Sequence, residues 1–344
     1  MFLKCLLNIW VLIACCINTR VLALFDPLSI GLAAGAALGF YKFDTLKDNT
    51  YCRFTECCNE RSIPADIKGL QEDLDKHLFG QHIVKQQLIP ALEAHFKEKE
   101  NSKKPLVISF HGTPGTGKNF VADKIAQRIY EKGSKSKYVR KYLGRGDFPL
   151  ESDAQLYSAR ILKEAREAIG DCPRSLFIFD EVDKMPPMVF ESLASMINYN
   201  AHIDGVDSTQ AIFIFLSNTA GVHISDKLGK LIKSGTLREK TRLSDFEQIL
   251  EKGAYNLEGG LKKTSLIESH LIDHFIPFLP LEKSHVYKCA QAEFEIWGKE
   301  PKDEVVERVV NDYITYDRVH GIFATSGCKK LGKKVAVEAM SPYV

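Results

Sequence analysis

A chain of 344 residues with 45% apolar and 26% charged residues has enough apolar surface to core two domains once a targeting segment is set aside, and no repeat or low-complexity tract interrupts it. Its 46 basic and 44 acidic residues leave a net charge of +2. No basic tract carries interleaved aromatics, so nucleic acid is disfavoured as a partner.

The first 23 residues read as a secretory signal: Lys4 supplies the positive start, residues 6–16 the apolar core, and Val21-Leu22-Ala23 a small-residue cleavage site. An uncleaved membrane anchor is the competing reading. Residues 24–43 form a second apolar stretch, with Asp26 its only charge up to Tyr41 and Gly31, Gly35 and Gly39 at four-residue spacing. Its apolar part, residues 24–41, lies at the lower edge of the length that spans a bilayer, so membrane association without a clean span is expected. Removing the signal leaves Cys52, Cys57, Cys58, Cys172, Cys289 and Cys328, an even count compatible with disulfides and with no zinc-ligand spacing.

Residues 63–96 show helical periodicity broken at Leu78-Phe79-Gly80-Gln81, and a polar linker over 97–104 leads into a strand at 106–110. The glycine loop Gly112-Thr113-Pro114-Gly115-Thr116-Gly117-Lys118-Asn119 follows, then helical spacing over 120–130. Further strands are expected at 138–143, 176–179, 212–216 and, more weakly, 274–278, with helices at 154–169 and 188–199 between them. This alternation predicts an α/β fold in which helices cover both faces of a parallel sheet. Residues 221–266 are more polar, with a helix at 245–251. Beyond Pro280, helical patterns at 282–297 and 303–313 and a basic end predict a small helical domain.

The glycine loop fits G-x-x-x-x-G-K, in which backbone N–H groups cradle phosphates and the Lys reaches the β/γ oxygens. Its last position, ordinarily a Ser or Thr that touches magnesium, is Asn119, which offers a carbonyl oxygen but no hydroxyl. About sixty residues on, an apolar strand runs into Asp180-Glu181, a Walker B arrangement. Asp180 is expected to hold magnesium through its water shell, and Glu181 to deprotonate the water that attacks the γ-phosphate of ATP. Asn218, ending the next buried strand, fits a sensor that bonds the attacking water or the γ-phosphate.

With these residues in order, the chain resembles the torsins, AAA+ ATPases of the endoplasmic reticulum lumen and nuclear envelope related to the Clp ATPases, and among them the invertebrate type. The resemblance runs from about residue 51 to residue 330. It rests on Leu78-Phe79-Gly80-Gln81, Lys118-Asn119, Ile178-Phe179-Asp180-Glu181 with Asp183-Lys184-Met185, Phe215-Leu216-Ser217-Asn218, Phe278-Leu279-Pro280-Leu281 and Gly327-Cys328-Lys329. It implies an AAA+ P-loop domain over 44–280, a three-layer parallel sheet, and a small helical lid over 281–344. Lys329 would then be sensor 2, and Cys328 the redox-sensitive cysteine with Cys289 as its disulfide partner. Cys172 would pair with one of Cys52, Cys57 and Cys58, without a choice among them.

The resemblance also implies that the arginine finger is missing and comes from a membrane-anchored activator with an AAA-like lumenal domain. Arg238 and Arg242 lie in the region where a finger would sit but in no convincing motif, and read as solvated surface charge. Tyr142-Leu143-Gly144 reads as strand packing rather than as an aromatic pore loop. The implied activity is ATP-dependent remodelling or chaperoning, with self-assembly into a homo-oligomer compatible with it. The alternative is an ATP-gated binding module in which hydrolysis only resets the assembly.

Overall fold

The computed structural model describes residues 52–98, 102–199, 202–203, 205–256, 261–262 and 264–341. The expected signal at 1–23 and membrane-associating stretch at 24–43 lie outside the described residues. Among the described residues no helix is long and apolar enough to cross a membrane. The chain divides into two compact units, Met1–Cys57 and Cys58–Val344. The described part of the first is one helical turn, Cys52–Phe54, closed by a Cys52–Cys57 disulfide.

The second unit opens with helices α1 (Ile67–His77) and α2 (His82–Lys97). Asp66 caps α1 by accepting the Gly69 N–H at 2.9 Å. Strands and helices then alternate: β1 (Leu106–His111), α3 (Lys118–Ile129), β2 (Val139–Leu143), α4 (Ala154–Asp171), β3 (Leu176–Asp180), α5 (Pro187–Ile197) and β4 (Ile212–Ser217). Helices α6 (Gly221–Lys233) and α7 (Glu247–Asn256) precede β5 (His274–Pro277). The C-terminal helices are α8 (Lys283–Ile296), α9 (Asp303–Tyr313) and α10 (Leu331–Ala339).

The five strands form one parallel sheet in the order β2-β3-β4-β1-β5. β1, β3 and β4 are buried at every position, and so read as unbroken apolar runs in the sequence. Their two-residue period divides two cores. Ile108, Phe110, Ile178, Ile214 and Leu216 face α1, α2 and α3, while Val107, Phe177, Phe179, Phe213 and Phe215 face α4 and α5. Phe177 stacks on Phe213 with ring centroids 4.8 Å apart, a cross-strand contact that favours this register over a one-residue slip. At the edge strand β2, half-buried Arg140 and exposed Lys141, on opposite faces, place charge where another chain would pair.

The expected linker at 97–104 is part of the body at its last residue. Lys104 is buried, pairs with Asp273 at 2.6 Å and donates to the Leu271 carbonyl, because a buried ammonium requires such partners. The C-terminal helices enclose a separate core built from Val286, Ala290 and Phe294 of α8, Val306 and Val310 of α9, and Leu331 and Val335 of α10.

Candidate active site

Register brings the chemistry to one edge of the sheet. His111 of β1 lies opposite Ser217 of β4, and Phe179 of β3 opposite Phe215 of β4. Gly112, Asp180-Glu181 and Asn218 therefore leave the carboxyl ends of neighbouring strands at the same level, at the point where the strand order reverses. The Gly112 N–H donates to the Ser217 carbonyl across the first of these pairs at 3.3 Å.

The loop from β1 to α3 needs its glycines because other backbone approaches it. A Cβ on Gly112 would lie 2.5 Å from the Phe278 carbonyl oxygen, and one on Gly115, whose φ is +82°, would lie 1.9 Å from that of Ser326. Lys118 is 6% exposed, and its Nζ donates to the carbonyls of Gly112 at 2.7 Å and Thr113 at 3.0 Å. Thr116 Oγ1 donates to the Thr113 carbonyl at 2.8 Å. Burial pushes the Lys118 pKa down to about 8; Asp180 and Asp183 oppose that shift, and Lys329 adds to it. A buried, poorly compensated cation at a helix N-terminus is an anion receptor.

Asp180 Oδ1 accepts the Glu181 N–H at 2.9 Å, and Asp180 Oδ2 accepts a hydrogen bond from Asn119 Nδ2. Only the amide nitrogen of Asn119 can donate to a carboxylate, so this side chain, expected as a candidate magnesium ligand, here orients Asp180. Glu181 has φ +56°, left-handed for a residue with a Cβ, a strain of ~1–3 kcal/mol that concentrates at functional sites. The bond to Asp180 and one from the Lys184 N–H to the Glu181 carbonyl at 2.8 Å hold it there. Asp183, which sequence reasoning gave no role, accepts the Asn218 N–H at 3.3 Å and so ties the β3 turn to the β4 turn. The donor set suits magnesium: one carboxylate beside the phosphate loop is what this ion takes from a protein when phosphates and water complete its shell. Among the described residues no group of three or more His, Cys, Asp or Glu forms a ready-made cage.

The C-terminal helices and the loop before α10 complete the site. The Cys328 N–H donates to the Gly115 carbonyl at 3.1 Å, and Cys328 is disulfide-bonded to Cys289 of α8, the pairing the resemblance implied. A cleft of about 920 Å³ results, walled by Pro114 to Asn119, Asp180, Glu181, Asn218, Cys289, Cys328 and Lys329. Of the expected site residues, Gly112 and Thr113 alone are absent from its wall; they support the loop from behind. The cleft is also lined by His77, Leu78 and Phe79, of which sequence reasoning picked out Leu78 and Phe79 without a site role, and by Ala292, Glu293 and Ile296, which it did not single out. A signal was present, since Cys289, Ala292, Glu293 and Ile296 share one helical face distinct from the Val286–Ala290–Phe294 core face.

Three further expectations meet the structure. Tyr142 is buried, stacks on Phe179 at 5.0 Å and donates to Glu164 at 2.9 Å, as a packing residue should. Cys172 pairs with Cys58. Arg238, expected on the surface, is instead 5% exposed; it donates to the Gly80 and Pro280 carbonyls and pairs with Glu282 at 2.9 Å. A guanidinium presents enough donors to satisfy several buried acceptors at once, which is why it can be buried here. Arg242 is exposed, as expected.

The ADP complex of Hsp104 from S. cerevisiae superposes on this fold with a TM-score of 0.58 at 16% identity, covering 83% of this chain and 48% of that one. A closed state of Hsp104 with ATPγS and FITC-casein gives 0.54 at 14% identity, covering 80% and 47%. The chain thus spans about half the length of those Hsp104 chains and shares their AAA+ fold. The torsin profile matches residues 52–179, and the profile for the torsin-1A C-terminal domain matches residues 281–337. A torsin-like protein of Caenorhabditis elegans is 36% identical over 94% of this chain and 92% of its own length. Another, of Drosophila melanogaster, is 58% identical over 91% of this chain and 92% of its own. Identity of that degree over nearly the whole of both chains, with the two torsin profiles in sequence order, places this chain in the torsin family, among the invertebrate torsin-like proteins.

Proposed function

We propose that this protein is an ATP-hydrolysing remodeller or chaperone of the endoplasmic reticulum lumen and perinuclear space, slow alone and completed by a membrane-anchored partner. The observation that carries the reading is the convergence, in one cleft, of buried Lys118 and lid Lys329 with the carboxylates Asp180 and Glu181 and the amide of Asn218. Two cations in a partly enclosed cleft suit a polyphosphate, and a carboxylate beside them suits the water that attacks it.

Lys118 and the loop N–H groups hold the β- and γ-phosphates, Lys329 reaches the γ-phosphate from the lid, Glu181 takes the proton of the attacking water, and Asn218 positions that water. Magnesium, held by Asp180 through water, would offset charge on the phosphates. The arginine finger is the missing part. Arg238 is committed to the link between β5 and α8, and Arg242 is an exposed residue of a short turn that does not line the cleft. We assign the finger to the activator's AAA-like lumenal domain. The signal-like start, the apolar stretch at 24–43 and the disulfides support a lumenal, membrane-associated location. The bond from Asn119 to Asp180 supports a second reading, the ATP-gated assembly module, because it competes for the carboxylate that magnesium needs.

An ATPase assay with and without the activator's lumenal domain separates these. The wild type should turn over feebly alone and ~10³-fold or more faster with the activator, and Glu181→Gln should bind ATP but lose turnover in both conditions. Strong turnover without a partner, abolished by Arg242→Ala, would refute the need for an activator. No acceleration by the activator, with ATP still gating assembly, favours the switch.

A further inference from the structure

Two buried polar side chains outside the phosphate site hold the joint between the sheet and the C-terminal helices. Gln81, 1% exposed, sits at the break between α1 and α2. Its Nε2 donates to the carbonyl of Thr116 in the glycine loop at 3.0 Å and to that of Leu279 at 2.8 Å, and its Oε1 accepts the Leu279 N–H at 2.8 Å. Both N–H groups and the oxygen of one amide are thereby engaged. Arg238 grips the next part of the same connection. Its Nη2 donates to the Gly80 carbonyl at 2.7 Å, and its Nη1 to the Pro280 carbonyl at 2.8 Å and to Glu282 at 2.9 Å.

Residues 278–282 are the covalent link from β5 to α8, and both side chains fasten that link to the Gly80-Gln81 dipeptide. Gly80 also meets the first turn of α8: its φ is +68°, and a Cβ there would lie 2.8 Å from the ring of His285. Apolar contacts alone would let the two domains rock, because they have no preferred direction. Several directional bonds from one amide and one guanidinium define an angle.

We propose that Gln81 and Arg238 are positioning residues that lock the lid joint to the phosphate loop, so that a shift of Thr116 on nucleotide binding is passed to α8 and returns as the placement of Lys329. This rests on the reading that the cleft takes ATP. The effect of losing Gln81 then runs through Lys329, and the two should not act independently.

The test is a double-mutant cycle on the full chain, read by titration with a fluorescent ATP analogue, with nucleotide-free melting as the measure of folding. Gln81→Met and Lys329→Ala should each weaken binding at least ~10-fold, and the double variant should bind about as the weaker single variant does. Leu193→Ala, in the core on the far face of the sheet, should lower the melting temperature and leave affinity unchanged. Arg238→Lys, which keeps the charge but not the fork, should resemble Gln81→Met. In the wild type, with no substitution at all, the analogue should slow hydrogen exchange in residues 278–282 together with the glycine loop. Additive losses, Gln81→Met binding within twofold of the wild type, or unchanged exchange at 278–282 while the loop is protected would each overturn the proposal. A wild type that binds no analogue would instead remove the ATP reading, and this inference with it.

Discussion

Lys118 keeps its charge where burial resists it, and this has a pH signature. Its pKa falls from 10.5 to about 8 in the folded chain, so above pH 8 the folded chain without nucleotide holds fewer protons here than the unfolded chain. Stability from this group therefore rises between pH 8 and 10.5. Phosphate binding runs the other way, because a neutral Lys118 must regain its proton to meet an anion. Affinity for ATP should fall above about pH 8 by up to tenfold per unit, with uptake of up to one proton per nucleotide bound. Titration calorimetry in buffers of different ionisation enthalpy checks this; pH-independent binding, or the same pH slope in Lys118→Ala, would count against it. Lys118 was legible in the sequence because its neighbours in the loop are also its neighbours in space. Arg238 was not, because its partners Gly80 and Pro280 lie 158 and 42 residues away.

Between elements, the decisive contact is that of the loop before α10 with the loop before α3. A Cβ on Gly327, whose φ is +49°, would lie 2.2 Å from the Gly115 carbonyl oxygen, the acceptor of the Cys328 N–H. Gly327→Ala should push this loop and Lys329 off the phosphate site and weaken nucleotide binding at least ~10-fold, beyond a conformational cost of ~1–3 kcal/mol. Gly321→Ala is the control: its φ is +72°, but nothing lies within 4 Å of the added Cβ. It should cost stability alone. Equal nucleotide affinities for the two variants, read by the same titration, would mean that the contact does not govern the site. Sequence periodicity located α8 and α9, though not α10, and did not show that α8 turns one face to its own core and another to the cleft. Both faces carry apolar residues, and only the packing partner tells them apart.

Across the whole chain, two disulfides constrain different things. Cys58–Cys172 closes a separation of 114 residues and ties the start of the second unit to the turn after α4. Cys289–Cys328 closes 39 residues within the lid. Loop-closure entropy puts the two at about 5 and about 4 kcal/mol. Cys172→Ser should lower the melting temperature without moving nucleotide affinity, whereas Cys289→Ser should lower both, since Cys328 rests on the glycine loop. Melting and nucleotide titration of the two variants, with reductant-treated wild type alongside, decide the matter; affinity that is indifferent to Cys289→Ser would detach the lid bridge from the site.

The order of strands and helices, the parallel sheet, the glycine loop, Asp180-Glu181 and Asn218 could all be read from the chain alone. Each is written in contiguous residues, as an apolar period, a glycine spacing, or a carboxylate at the end of an apolar run. The partner of Cys172, the burial of Arg238, the three bonds of Gln81 and the use of Asn119 as a donor to Asp180 were decided by tertiary structure. A buried polar group takes whichever partner folding brings opposite it, and for Gln81 that partner, Leu279, lies 198 residues along the chain.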